Sequence, residues 1–526
     1  MSSETSPNPG GTDQVGRIET RGVDYIPEAE RHSRPRELTW VFFGTQLCFG
    51  IIVLGYLPVS FGLGWWGSIT STLVGLLVGS ALFAPLSLLS TRTGTNSAVS
   101  SGAHFGVVGR IVGSLVGIFT AIGFYALTVW TGGTALVQGL HKLFGMPAGN
   151  AQLVVAYAVI AITTLIVAIY GHANVVLANR ILIPTMGVLL LVGVVLLAHK
   201  FTTSPPTPEL LLGTYPATWL LSATTAASLP ISYCPYVGDY TRYVSAKRWS
   251  QRRIAWSAGL GMFVGTAVAL CFAIYVAMTF PADVTDWVTG LVEVSPVAGA
   301  VPIVAIALVG SCAQGALCVY GTGLDTSSIF PKLKRVPATL LIGGAGTALV
   351  FVGSFAYNLV SAASAFLIIL IVVTAPWLVI NLLGYAFCRG RYYAQDLQVF
   401  NLNPRIAGGA YWFSHGWNLA AMLAWIPATI IGILFVNTTL YVGPWANAAG
   451  GIDLSFISAA AIGGLLYCVL VRVIPDSLVV PAVVSEEDDA RRLQQLLTSA
   501  TVTDSAGAAR PRQSPALDAS GVAEFT

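Results

Sequence analysis

The chain has 526 residues and a net charge of +3, with only 9% of its residues charged and 55% hydrophobic. Its mean hydropathy is +0.74. Soluble domains carry about 25% charged residues, so the composition excludes a soluble globular protein and points to an all-α polytopic membrane protein. The 55 glycines suit helices that approach closely in lipid. The basic residues lie in loops between apolar runs, so no nucleic-acid partner is expected.

Taken in order, residues 1–37 are polar, rich in Pro, Gly and Ser, and read as a mostly disordered tail. The first apolar run starts near Leu38, too late for a cleavable signal peptide. Twelve runs follow, each near the length of about 20 residues that a bilayer requires. They fall at roughly 38–60, 67–90, 108–139, 151–170, 180–199, 216–236, 254–280, 298–323, 337–356, 359–384, 417–437 and 452–473. Residues 38–473 thus read as one transporter domain, and 474–526 as a second, mostly disordered tail. Ser485–Ser499 forms a short surface helix in this reading.

Lysine and arginine set the orientation. With twelve spans and both ends in the cytoplasm, 24 of the 26 basic residues fall on the cytoplasmic side. Lys142 and Lys200 fall outside, beside a loop that carries Asp283, Asp286 and Glu293.

Several chemistries find no residues. The seven cysteines form no CxxC pair, which argues against a metal centre or a disulfide framework. Gly62, Gly64 and Gly67 match a GxGxxG spacing but lack the acidic residue of a dinucleotide fold, and no phosphate-binding loop is present. Nucleotide-driven pumping and enzyme activity are therefore not expected. No cofactor is expected beyond a coupling ion.

Span 6 organises the rest. Its SATTAASLPISYCPYVGDYTRY segment, Ser222–Tyr243, is interrupted at Pro230 and again at Pro235. A proline inside a helix removes a hydrogen bond, and at bilayer depth such breaks line protein-filled or wet cavities. Span 1 carries GTQLCFG, with Gln46 between two glycines, at similar depth. Five spans separate the two, and they run in opposite directions. That is the pattern of a five-plus-five inverted repeat with facing broken helices.

Polar residues inside the spans supply the candidate site. Gln46 in span 1 and Gln314 in span 8 are buried amides, each open to two readings: substrate contact or an interhelical hydrogen bond. Gly50 marks the end of the span 1 break. Phe124 and Thr128 share a face of span 3, and Cys318 lies one turn beyond Gln314. Leu229 and Pro230 mark the span 6 break. Asn358 and Asn381 bracket span 10 as end caps. A planar ligand with donors and acceptors on its edge suits such a set. Asp239 and Arg242 end span 6, where they read as a gate or a structural anchor. Asp239 as a proton carrier is the further reading.

At these residues the chain resembles the nucleobase–cation symporter family, which includes purine–cytosine permeases and the hydantoin, allantoin and uracil permeases. IETRGVDYIPEAERHSRP, GLGWWGSI, HFGVVGRIVGS, DYTRY and GGIDLSFISAAAIGGLLYCVLVR are similar, in order, to that family's segments. The resemblance implies a leucine-transporter-like fold: a ten-helix inverted repeat with two additional C-terminal helices. It implies alternating access driven by a proton or sodium gradient, with the ligand between spans 1, 3, 6 and 8.

The chain also departs from the family's hydantoin type. Phe124 stands where those members place a Trp, and Thr128 where they place a Gln. The second Trp position falls near Leu229 or Pro230. Sodium-coupled members use two adjacent hydroxyls in span 8, and here Cys312 and Ala313 stand there, with only Ser311 nearby. The expectation is a plasma-membrane importer of a nucleobase, cytosine or a purine, coupled to protons. The alternative is a carrier of allantoin, uracil, a hydantoin or a thiamine precursor, coupled to either ion. The oligomeric state is left open, a monomer included.

Overall fold

In a computed structural model of the chain, residues 24–508 are described except 171, 285, 331–334, 358, 402–406, 450–451 and 483–484. Asn358 lies outside the described residues, as do the side chains of Arg180 and Ala313. The first span is a bent pair: α1, Pro35–Gln46, then α2, Phe49–Val53, and after one 3-10 turn α3, Leu57–Ser60. α4 is Trp65–Thr93 and α5 is Ser97–Phe105. α6 is Ile111–Phe144, α7 Asn150–Tyr170 and α8 His172–Leu197. The sixth span is α9, Tyr215–Ser232, a 3-10 turn over Cys234–Tyr236, and α10, Val237–Thr241. α11 is Gln251–Ala277, α12 Trp287–Val294, α13 Val297–Ile329, α14 Arg335–Ala356 and α15 Leu359–Phe387. α16 is Leu419–Leu434, α17 Ser455–Val473 and α18 Glu486–Ala508.

Every one of the twelve expected apolar runs coincides with a helix or a broken pair. Among the described residues eight helices are each long and apolar enough to cross a bilayer, and the bent first span makes a ninth. The other three runs fall on α8, α9 and α16.

Small residues decide the packing. α4 and α9 lie so close that a Cβ on Gly75 would sit 2.0 Å from the Ala223 carbonyl oxygen, and one on Gly79 2.6 Å from that of Ala227. In lipid, where apolar burial gives little preference for one neighbour over another, such backbone approach supplies the van der Waals contact. α6 and α13 form the largest helix interface and run through the middle of the bundle.

Two short helices escape a reading by apolar length. α5 is buried and rich in serine, and Asn96 caps it by accepting a hydrogen bond from Val99 N at 3.1 Å. α12 is capped by Asp286, which accepts from Thr289 N at 2.9 Å. At its other end Lys142 Nζ reaches the carbonyls of Val292, Glu293 and Ser295, and Lys200 Nζ that of Val294 at 2.9 Å. A helix C-terminus carries unpaired carbonyls and partial negative charge. The two basic residues isolated on this side therefore have a structural use.

The described parts of both tails, within residues 24–37 and 474–508, are held against the body. Residues 24–34 form a strap on the body rather than part of a free tail. Ile26 is fully buried and Arg31 is 4% exposed. Arg31 donates to the carbonyls of Ile26 at 2.9 Å and Thr91 at 3.0 Å. The C-terminal helix is longer than the expected Ser485–Ser499, and its first turn touches the strap. Both terminal segments therefore share one face of the bundle, called the terminal face below.

Candidate functional site

The first span unwinds at Leu47–Cys48. α1 ends on Gln46, Cys48 is extended at φ −121° and ψ 153°, and the two halves are bent by 65°. An unwound peptide frees the last carbonyls of one half and the first N–H groups of the other. The break points into the bundle, because α2 touches both α6 and α13.

The sixth span breaks later than its prolines suggest. α9 runs through Pro230 to Ser232 and then tightens into the 3-10 turn that contains Pro235. Pro230 packs against α4, where Gly79 leaves room for its ring: a Cβ there would lie 3.2 Å from Pro230 Cγ. The span is tightened, with no extended residue. The expected pair of facing broken helices is thus one unwound helix and one 3-10 turn.

Around these breaks the expected residues take definite places. Gly50 and Thr128 meet, since a Cβ on Gly50 would lie 2.9 Å from Thr128 Oγ1. Phe124 is 7% exposed, with its ring edge-on to Phe366 of α15 at 5.6 Å. Leu229, Phe124 and Cys48 belong to one buried apolar cluster, with Cys318 packed against it. Gln46 is 2% exposed and its Nε2 donates to Thr45 Oγ1 at 3.2 Å. Gln314 is 7% exposed, and its Nε2 lies 3.9 Å from Cys318 Sγ. Pro230 faces α4, and Asn381 donates to the Trp377 carbonyl one turn back within α15.

Asp239 and Arg242 lie at the terminal face, away from these amides. Arg242 is 3% exposed, and its guanidinium stacks over Tyr243 at 5.1 Å. α10 is seated on the start of α5, where Gly238 N donates to Ser97 Oγ at 2.8 Å.

Two charged residues near this end were not singled out from the sequence. Asp325 is only 6% exposed on α13, and Arg110 is fully buried just before α6. The Asp325 carboxylate fits against Gly117 of α6, where a Cβ would lie 2.5 Å from Oδ2. Asp239 and Arg110 are the charged groups that act on it. Arg110 also donates to Asn401 Oδ1 and stacks over Phe400 at 5.0 Å. Tyr236 of the 3-10 turn donates to the Gly117 carbonyl beside them. Span 8 was expected to stop near 323, but α13 continues to Ile329, so Asp325 is held inside the bundle. A lone acid at the end of an apolar run was the available signal.

A cavity of about 90 Å³ lies elsewhere, between α2, α8, α12 and the start of α13. Phe49, Met186, Phe272 and Trp287 are among its walls. Its lining is almost wholly apolar, so it offers little to read the polar edge of a ligand.

An all-helical bundle with a broken first span, polar groups at the break and a buried carboxylate on α13 has the architecture of a membrane transporter. The family described as "Permease for cytosine/purines, uracil, thiamine, allantoin" matches residues 25–457, and the chain belongs to it. The chain is 27% identical to YxlA of Bacillus subtilis (strain 168), whose name places it with the purine-cytosine permeases. That match covers 87% of this chain and 96% of the relative.

Among solved structures, inward-facing Mhp1 aligns with a TM-score of 0.69 at 16% identity, over 91% of this chain and 98% of that one. Mhp1 closed around bromovinylhydantoin, a nucleobase-cation-symport-1 family transporter, gives 0.66 at 16% identity, over 91% and 99%. A Na+-coupled sialic acid symporter gives 0.52 at 13% identity, over 85% and 91%. These likenesses establish the leucine-transporter-like fold. The protein is a transporter and not an enzyme.

Proposed function

We propose that the chain imports a nucleobase, cytosine or a purine, by alternating access in symport with a proton. The observation that carries this reading is the junction of the unwound span 1 with α6 and α13. There Gly50 meets Thr128 of α6, and one buried amide ends α1 while another lies on α13, with Phe124 and Leu229 as the buried apolar candidates for the walls. Apolar faces hold a flat ring, and amides offer both donors and acceptors to its edge. The excess of lysine and arginine on the terminal face supports a plasma-membrane orientation with both ends in the cytoplasm.

Proton coupling is supported by two features of α13. Asp325 offers a buried titratable group at the junction of α6, α10 and α13. Ser311, the span 8 hydroxyl beside the expected sodium position, packs against Gly132 of α6. A hard cation requires several oxygen ligands, and Cys312 beside Ser311 supplies sulfur.

The second reading is a carrier of allantoin, uracil, a hydantoin or a thiamine precursor. Phe124 favours it in one respect: a single edge-packed ring leaves the ligand less tightly selected by stacking.

The test is uptake of labelled cytosine, adenine, hypoxanthine, uracil and allantoin in a host without nucleobase carriers. The expected result is accumulation of one base, abolished by a protonophore and unaffected when choline replaces sodium. A strict sodium requirement would refute the proton assignment. Accumulation of allantoin or uracil alone would transfer the assignment to the second reading.

A further inference from the structure

α18 lies across the terminal face and ties together two parts of the bundle. At its first turn Glu486 Oε1 accepts from Tyr25 Oη at 2.9 Å and from Glu28 N at 3.1 Å. These residues belong to the strap, which is fixed to the end of α4 by Ile26 N donating to Gly94 O at 2.9 Å. It is also fixed to the chain after α10 by Ser33 N donating to Tyr243 O at 3.1 Å and by Ser245 donating to Glu28. Further along, α18 grips the loop that follows α15. Gln395 N donates to Asp489 Oδ2 at 2.9 Å, and Arg492 Nε donates to Asp396 Oδ2 at 3.0 Å. Arg492 also covers the Tyr393 ring at 4.4 Å. The same loop carries Asn401, which receives Arg110 at the entrance to α6. One helix therefore links the α1, α4 and α10 side to the α6 and α15 side. Inverted-repeat transporters work by moving such groups against each other.

The grip contains a charge imbalance. Asp396 is fully buried and Asp489 is 6% exposed, while Arg492 is the cation paired with Asp396. Asp396 Oδ2 is satisfied by Ala410 N at 2.6 Å and by Arg492. The Oδ1 atoms of Asp396 and Asp489 are both buried and, among the described residues, have no hydrogen-bond partner. Tyr411 and Tyr25 are the other titratable groups that sense Asp489. Each of these neighbouring carboxyl groups has one buried oxygen without a donor, and a proton is the smallest group that supplies one.

We propose that Asp396 and Asp489 form a proton-binding carboxyl pair that clasps α18 across the terminal face, so that acidification on that side tightens the clasp and slows opening toward it. Burial, with the Asp396 charge adding to it, pushes the Asp489 carboxyl up to about 6. The docked helix thus holds the proton more firmly than the undocked one. The contribution to docking is fully present below the ordinary carboxylate range and is lost as pH rises through 6. Between pH 7.5 and 5.5 the docking equilibrium should gain about fourfold. If the transporter brings in protons with its substrate, which is the reading proposed above, the clasp acts as product inhibition by the proton. The clasp itself does not depend on that reading.

Hydrogen exchange on the full-length protein in lipid nanodiscs tests the pair without any substrate. After correction for intrinsic rates, wild-type residues 486–498 should be about fourfold better protected at pH 5.5 than at 7.5. Asp489→Asn should show the acid level of protection at both pH values, because its amide offers the donor the proton would bring. Exchange in α6 and α13 should match wild type, which separates this from misfolding. Protection that is independent of pH in the wild type, or still dependent on it in Asp489→Asn, would overturn the proton site.

Gating is read at a fixed pH of 5.5 by alkylation of Cys318 with a water-soluble maleimide from the terminal side of membrane vesicles. Glu486→Ala, which cuts the strap from α18, should raise that rate several-fold. An unchanged rate would remove the gating role, whichever substrate the transporter carries.

Discussion

Gly50 of α2 and Thr128 of α6 are in direct contact: the hydroxyl of Thr128 occupies the space that a side chain on residue 50 would need, at 2.9 Å from its Cβ. The other Thr128 atoms stand farther off, with Cβ at 3.7 Å. Gly50→Ala should therefore push α2 away from α6, at about 1–3 kcal/mol for such overpacking. Initial uptake should fall at least tenfold with normal insertion. Gly50→Ala combined with Thr128→Ala removes the clash and should recover most of the rate. Additive loss in the double variant would show that the hydroxyl is needed for itself.

The buried amides make a separate prediction. Gln46→Ala and Gln314→Ala each remove a hydrogen bond worth about 0.5–1.5 kcal/mol. Each should weaken ligand binding by about two- to tenfold, measured by scintillation proximity with the transported base. Unchanged affinity in either variant would leave that glutamine as a helix–helix contact to Thr45 or Cys318.

Asp325→Asn tests coupling. The amide keeps the fit against Gly117 but cannot exchange a proton. Accumulation against a gradient should be lost, while counterflow exchange in preloaded vesicles should continue. Uptake should also lose its pH dependence. Arg110→Lys keeps the nearby charge and should retain accumulation. If Asp325→Asn accumulates substrate normally, the coupling proton is carried elsewhere.

Lys142 and Lys200 hold the end of α12. Replacing Lys142 by Ala leaves the carbonyls of Val292, Glu293 and Ser295 without their common donor. Cations at a helix C-terminus contribute about 0.3–1 kcal/mol each. Hydrogen exchange in residues 287–294 should speed up by about two- to fivefold in Lys142→Ala, with Lys200→Ala smaller because it makes one such bond. Equal exchange in both variants and the wild type would show that other contacts, such as the Trp287 Nε1 bond to Ala273 O at 3.0 Å, hold the helix alone.

Much of the architecture was legible in the chain because lipid imposes a simple rule. Each crossing requires about 20 apolar residues, and all twelve such runs correspond to helices or broken pairs. α5 and α12 were not legible, because short buried helices are set by caps and neighbours rather than by apolar length. The span 6 break was displaced because a proline weakens a helix without having to end it: α9 runs through Pro230, and the 3-10 turn falls at Pro235.

The sequence by itself determined the membrane class, the helices and the family resemblance, and it nominated Gln46, Gly50, Thr128 and Gln314 as candidates for a central site. Local composition and spacing suffice for these. The tertiary structure alone placed Asp325 beside Asp239 and Arg110, and Asp396 beside Asp489 across 93 positions of chain. Proton-binding character arises from burial and from like-charged neighbours brought together by folding. No local pattern encodes it, and these carboxylates became interpretable only once the helices were packed.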